Sequence, residues 1–532
     1  IEILKACRNT DWFMLINHGA KRSGKTQLDN DIFLQELIRV RGIADQLGID
    51  TPQYILAGYS MGNIQDNIEA YEKMFGVKKH GIRFSTTEII AFSFLAAILA
   101  GACLLSLPIS SSSGEPTNFI DSLFTATSST CVTGLVVVPT FEHWSIFGKI
   151  VVLLLIQCGG LGIVTLTSLA MIIIGKKLGI KDRMLLQDAF NLDVLSGQVR
   201  FVKRVFVGTM TFEAIGALLY MIVFIPEFGL IKGIGISVFN SVSAFCNAGI
   251  DIIGPSSLMP YVDNPLVNLV TMGLIIFGGL GFVVWWDTGR LFKMVRKGQI
   301  KVRQTARKLT LHSKIVLIST FILVFGGALL IFLFEHDNPK TMGNLNIGGK
   351  ILASLFQSVT TRTAGFMTIS QTGLTDSSCL ISILLMFIGG SPVGTAGGIK
   401  TTTAAVIVIA ALAVVNKRRD TIAFNRRIPF ESIQKALTVT LISLTMLFIS
   451  TLLVATFSGG NLLDVFYETT SALGTVGLSR DYTPLLSTVG KIVITLTMYL
   501  GRIGPITMAI IFGIKNDKTK SIQFPEENIR IG

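Results

Sequence analysis

The sequence predicts an all-α membrane protein: four tandem units of helix, re-entrant half-helix, loop and helix around one axis, eight full spans in all, preceded by a small α/β fragment. Composition and spacing predict it. Half of the 532 residues are apolar and only 15% are charged. Several stretches run about 20 residues without a charge, enough to cross a ~30 Å hydrocarbon core. Gly134, Gly249, Gly365 and Gly477 recur at intervals of 115, 116 and 112 residues, the mark of a fourfold internal repeat. Each closes a short polar segment set in apolar sequence, and each has a Phe nine to eleven residues upstream (Phe124, Phe239, Phe356, Phe466).

The first repeat, about 82–180, opens with an apolar span near 86–107 and stops at Pro108 and a Ser/Gly-rich turn. It resumes at 119–130, passes Gly134 and crosses again near 146–175. Repeats at about 200–295, 312–416 and 430–515 follow the same plan, and the even number of spans puts both ends on one side. Lys176, Lys177, Lys181 and Arg183, then Lys293, Arg296, Lys297 and Lys301, then Lys417, Arg418 and Arg419 crowd the three connectors between repeats, whereas the loops at 108–118 and 335–347 carry few basic residues. By the positive-inside rule the connectors and both termini are cytosolic, and the protein is a multi-pass protein of the cell membrane. The net charge of +13 is then a topology signal and an attraction to anionic lipid of the bilayer, with no nucleic-acid partner needed to explain it. Six scattered cysteines show neither metal-ligand spacing nor a disulfide framework and read as small apolar residues. Ile at position 1 and the lack of a signal-peptide pattern read as a fragment or a processed start, which leaves targeting to the first span.

Four segments interrupt the apolar pattern at equivalent places: Cys131-Val132-Thr133-Gly134, Cys246-Asn247-Ala248-Gly249, Arg362-Thr363-Ala364-Gly365 and Gly474-Thr475-Val476-Gly477. Non-helical backbone at membrane depth is tolerated only when it is buried in protein or lines a water-filled path. Each half-helix before such a segment aims its partially negative end at the axis. Each glycine permits backbone angles that would strain other residues, so carbonyls can face inward and replace hydration water. The segments carry no ring of Asp or Glu, which argues against a divalent-cation site. They read as the selectivity filter of a pore for monovalent cations, potassium before sodium. The alternative, glycines that merely let membrane helices pack closely, leaves their equal spacing unexplained.

Two features break the symmetry. Aligned second spans pair Gly159-Gly160, Gly278-Gly279 and Gly389-Gly390 with Gly501-Arg502. A lone Arg in an apolar span should face a cavity or a partner. Arg502 therefore reads as an electrostatic barrier to cations in the pore, with pairing to Asp464, Glu468 or carbonyls as the alternative. The third repeat's second span is interrupted by Gly389, Gly390, Ser391, Pro392, Gly394, Gly397 and Gly398, followed by Lys400, a density of glycine that no regular helix holds. It reads as a movable gate, the alternative being a rigid kink.

With these motifs and the Leu-Pro-Ile-Ser turn at 107–110, residues 82–532, about 85% of the chain, resemble the membrane subunit of the Trk/Ktr/HKT superfamily of potassium transporters. Lacking two extra leading spans, they are similar to Ktr-type rather than Trk-type subunits. The resemblance implies potassium uptake in a bacterial plasma membrane, by a non-enzymatic homodimer with one pore per subunit and no covalent cofactor. It further implies a cytosolic ring of regulatory subunits that carries the nucleotide and moves the gate, and sodium as an activator. A sodium-coupled secondary transporter is the alternative, although such folds usually show inverted pairs of repeats.

Residues 1–80 differ, with frequent charges and short apolar runs. A strand-like Phe13–Asn17 leads into a Gly-x-x-x-x-Gly-Lys-Thr motif formed by Gly19, Gly24, Lys25 and Thr26, in which backbone amides wrap a phosphate, Lys25 neutralises it and Thr26 ligates magnesium. A helix-like stretch and the strand-like 53–58 follow. In order and spacing this resembles the start of a phage terminase large subunit. No acidic strand end appears before the membrane segment, and some 80 residues bury too little surface for a working P-loop fold. The segment reads as a cytosolic, truncated fragment with a vestigial phosphate site, and an ATP-driven transporter is the lesser alternative.

Overall fold

Residues 86–174, 198–418 and 420–504, with short pieces at 12–13, 53–54 and 185–186, are described by the computed structural model. The chain divides into two units, Ile1–Arg83 and Phe84–Gly532. In the first, strands β1 (Trp12–Phe13) and β2 (Gln53–Tyr54) pair in parallel, Trp12 opposite Gln53. The candidate phosphate-binding residues Gly19, Gly24, Lys25 and Thr26 lie outside the described residues.

The second unit is helical, and its longer described helices fall into three sets of four and a last set of three. Helix α1 (Thr86–Leu105) is followed by α2 (Phe119–Thr130), then α3 (Ile146–Leu161) and α4 (Ile163–Ile173). Next come α5 (Gln198–Phe228), α6 (Leu230–Cys246), α7 (Pro265–Gly279) and α8 (Phe282–Arg296). The third set is α9 (Leu311–Glu335), α10 (Ile347–Thr360), α11 (Asp376–Phe387) and α12 (Thr401–Val415), and the fourth is α13 (Phe430–Ser458), α14 (Leu462–Gly474) and α15 (Thr488–Ile503). A two-strand hairpin, β3 (Ile422–Ala423) with β4 (Arg426–Arg427), sits in the last connector.

Local chemistry sets the boundaries. The half-helices α2, α6, α10 and α14 have 12, 17, 14 and 13 residues, too short at 1.5 Å per residue to cross the hydrocarbon core. Three of them start at an Asn whose side chain accepts a backbone N–H: Asn118 from Ile120, Asn346 from Gly349 and Asn461 from Leu463. Ser145, Asn264, Thr375 and Ser487 cap the following helices in the same way. The recurrent upstream aromatics anchor the half-helices: Phe124, Phe239 and Phe356 are buried, and Phe466 is partly so.

The second spans are not the straight crossings expected from the sequence. Helices α3 and α4 meet at 93°, and α7 and α8 at 97°. Each bend falls on a glycine in the left-handed region, Gly162 at φ 82° and Gly281 at φ 87°, a conformation that costs glycine nothing. Gly504 ends α15 with φ 93°. Four described helices are long and apolar enough to cross a membrane, and six spans result if each bent pair counts as one.

Polar staples within and between repeats brace the end of the unit where the half-helices begin. Lys491 on α15 pairs with Asp121 on α2 at 2.7 Å, and Arg480 pairs with Asp464 at 2.6 Å. Fully buried Glu335 at the end of α9 accepts from Thr375 N at 2.8 Å, Thr375 Oγ1 at 2.7 Å, Thr341 Oγ1 at 2.5 Å and Asn338 Nδ2 at 2.7 Å. A buried carboxylate survives only with its lone pairs so filled.

Candidate functional site

The half-helices α2, α6, α10 and α14 end at the four polar segments, whose twelve residues Cys131–Thr133, Cys246–Ala248, Arg362–Ala364 and Gly474–Val476 are all buried. Each segment has the same backbone form. Two residues before each closing glycine the chain enters the left-handed region, at Val132 (φ 57°), Asn247 (φ 63°), Thr363 (φ 65°) and Thr475 (φ 50°), and it does so again at the glycine. For Val and Thr this conformation costs about 1–3 kcal/mol each, which the surroundings must hold in place. Sequence reasoning singled out the glycines and missed this second left-handed position, because Val and Thr give no sign of it.

The glycines close a ring. The carbonyl oxygen of Ala248 lies against Gly134, that of Ala364 against Gly249, that of Val476 against Gly365 and that of Thr133 against Gly477. A Cβ added at Gly249 would stand 2.7 Å from the Gly365 Cα, and one added at Gly477 would stand 2.8 Å from the Gly134 Cα. Contacts therefore run from each repeat to the next and return from the fourth to the first.

Hydroxyls brace the ring from behind. Ser128 Oγ accepts the Gly134 N–H and Ser471 Oγ accepts the Gly477 N–H, both at 3.0 Å. Ser243 Oγ donates to the Ile250 carbonyl at 2.6 Å and Thr360 Oγ1 to the Phe366 carbonyl at 2.7 Å. A hydroxyl five or six residues before each glycine was a recurrence visible in the sequence, and it was overlooked there. The Arg362 side chain turns away from the ring, with Nη2 donating to Thr320 Oγ1 at 3.4 Å.

On the side toward which the chain leaves the glycines, all four glycines line a cavity of about 230 Å³ together with Asp251, Ser479, Asp481 and Thr483. Asp251 is half-buried and accepts from Ser257 Oγ at 2.6 Å. Burial raises its carboxyl above the usual range, to about 6.

On the opposite side lies the Gly-rich loop 388–400. It is hydrogen-bonded to the second repeat. Ser391 N donates to Gly279 O at 2.9 Å, Phe282 N to Val393 O at 2.8 Å, Thr395 Oγ1 to Phe245 O at 3.2 Å and Lys400 Nζ to Ala396 O at 2.7 Å. Gly389 packs against the Thr363 methyl group and Gly397 against Thr475 Oγ1, so the loop touches the strained residues of two ring segments. Pro392 and Gly394 face the Gly278–Gly281 break of the second repeat, Gly390 faces Ala396 and the Gly279 carbonyl, and Gly398, at φ 66°, faces Gly389. Arg502 binds carbonyls, as one of the sequence alternatives had it: Nη1 donates to Thr395 O and Nη2 to Gly159 O, which ties the fourth repeat to the loop and to the first repeat. Asp464 and Glu468 are engaged elsewhere, Asp464 by Arg480 and Glu468 by Ser479 and Thr483. Among the described residues no group of three or more metal-ligating side chains forms.

Known proteins resemble this chain in sequence and in fold. The family model "TrkH: Cation transport protein" matches residues 79–523. The chain is 39% identical over 451 residues to the Ktr system potassium uptake protein B of Bacillus subtilis, covering 85% of this chain and 98% of that one. It is 37% identical to the potassium/sodium uptake protein NtpJ of Enterococcus hirae, with coverage of 85% and 98%. The crystal structure of the potassium transporter TrkH from Vibrio parahaemolyticus superposes with a TM-score of 0.62 at 16% identity, covering 85% of this chain and 90% of that one.

Proposed function

The chain belongs to the TrkH family of cation transport proteins, a family of transport proteins rather than enzymes, and from that membership we propose that it carries out potassium uptake through a single pore in the cell membrane. The ring of glycines and carbonyls carries this reading. Backbone oxygens from four repeats, each set against a glycine of a neighbouring repeat, replace the hydration shell of a monovalent cation without bringing a fixed charge to bind it too tightly. The bent and short helices then complete eight spans, with the connectors and both ends cytosolic. The loop at 388–400 is the gate. To open it must break the hydrogen bonds that now pin it, and a cytosolic nucleotide-binding partner beneath a homodimer supplies that force. Arg502 is the barrier under the ring. Sodium serves as an activator, while the name of the Enterococcus relative, potassium/sodium uptake protein, gives sodium there as an ion taken up.

The deciding experiment is potassium and sodium uptake by a potassium-transport-deficient bacterium that expresses the full chain or residues 81–532, with and without a sodium gradient. Potassium uptake by both forms that follows membrane potential supports the pore. Uptake that vanishes without the sodium gradient means coupled transport, and uptake by the full chain alone gives the first eighty residues a role.

The cavity beyond the ring adds a pH dependence. With its carboxyl raised to about 6, Asp251 is charged above that pH and neutral below it. Acidifying the outside from about pH 7.5 to about pH 5 removes one negative charge from the approach to the ring, and KM for potassium rises, by at most about fivefold. Asp251→Asn has the raised KM at every pH. If Asp251→Asn keeps the wild-type pH profile, another group titrates.

A further inference from the structure

A cavity of about 450 Å³ lies between the start of α5 and α8, at the end of the spans that carries the basic connectors. Its wall joins two kinds of surface. Phe201, Trp285 and Trp286 make an apolar face, and Arg204, Lys293 and Lys297 make a cationic one. Arg204 is held in place by its guanidinium, 4.5 Å over the Trp286 ring. Arg290 also lines the cavity, but its 2.7 Å pair with Asp287 cancels its charge. Among the described residues no Asp or Glu lines the cavity. Among the described residues no carboxylate lies within ion-pair distance of Arg204, Lys293 or Lys297.

We propose that this cavity seats the phosphate headgroup of an anionic phospholipid, with an acyl chain lying along the tryptophan wall. Three cations with no carboxylate partner among the described residues stand around one cavity and repel each other, and a phosphate diester relieves that repulsion. A free inorganic phosphate would satisfy the cations but leave the aromatic face wetted. Trp286 is 39% exposed and neighbouring Phe292 is 70% exposed, the surface expected where aromatic side chains meet headgroups at a membrane boundary. The site is built at the bend of the second repeat: α8 begins just after Gly281, at Phe282, which donates its N–H to Val393 of the Gly-rich loop. A lipid clamped on α8 therefore holds an element that supports that loop. The binding claim is independent of the transport reading.

The test uses the full chain, purified, stripped of lipid and examined by native mass spectrometry with phosphatidylglycerol, phosphatidylcholine or inorganic phosphate added. One phosphatidylglycerol is retained in preference to phosphatidylcholine. Each surface cation contributes about fivefold to such binding, so Lys293→Gln with Lys297→Gln weakens it about 25-fold. Both side chains are exposed, so this variant folds. Arg303→Gln with Arg307→Gln removes the same charge from an exposed helix outside the cavity and leaves binding unchanged. Equal retention of the two lipids, wild-type binding by the Lys293/Lys297 variant, or displacement of the lipid by equimolar inorganic phosphate overturns the proposal.

Discussion

A Gly365→Ser protein discriminates poorly between potassium and sodium, and its potassium uptake falls at least about tenfold. Gly365 sits at φ 84°, and a Cβ there would stand 2.5 Å from the Val476 carbonyl oxygen, 3.1 Å from the Gly249 Cα and 3.2 Å from the Gly477 Cα. All three neighbours are backbone, so no side chain can swing aside to make room. The ring must widen or one of its carbonyls must turn, and an oxygen cage that has moved no longer balances the dehydration of one ion against another. The left-handed angle adds about 1–2 kcal/mol of strain for a residue with a Cβ. Gly114→Ser separates the two effects. Gly114 has a comparable φ of 76° with nothing within 4 Å of the added Cβ, so that variant loses a little stability and keeps wild-type selectivity. An unchanged potassium-to-sodium ratio in Gly365→Ser, at normal amounts in the membrane, would remove the ring from the selectivity step.

What the sequence revealed and what it hid follow from where the information lies. Glycines spaced one repeat apart mark equivalent positions, and the structure brings those four positions together. Residue type announces a left-handed angle at glycine, but at Val132, Thr363 and Thr475 the angle is imposed by neighbours, against the preference of a β-branched side chain. The bends at Gly162 and Gly281 stayed hidden because an apolar run containing one glycine reads equally well as a straight helix. The packing of the Gly-rich loop was hidden for a similar reason. Its glycines are there for close approach, Gly397 to Thr475 and Gly394 to Gly281, and its backbone groups find partners on the second repeat that local sequence cannot disclose. The carbonyl partners of Arg502 were open in the sequence for the same reason, since they come from the first and third repeats.

An Arg502→Gln protein takes up potassium faster than wild type, by about tenfold, and depends less on a regulatory partner. A unit charge ~8 Å from a permeating cation costs about 2 kcal/mol at an effective dielectric constant of about 20, equivalent to about thirtyfold in rate, and water in the pore screens part of this. The guanidinium does a second job, because its two ends hold the Thr395 carbonyl of the loop and the Gly159 carbonyl of α3. Removing it releases the loop on one side and leaves two carbonyls short of a partner, at about 1–3 kcal/mol each. Thermal stability in detergent therefore falls while transport rises, a combination that a purely structural Arg would not give. Arg502→Lys keeps the charge and loses the planar fork, so its uptake rate stays near wild type while control by the partner weakens. Uptake by Arg502→Gln at or below the wild-type rate, with equal protein in the membrane, would show that Arg502 only ties the repeats together.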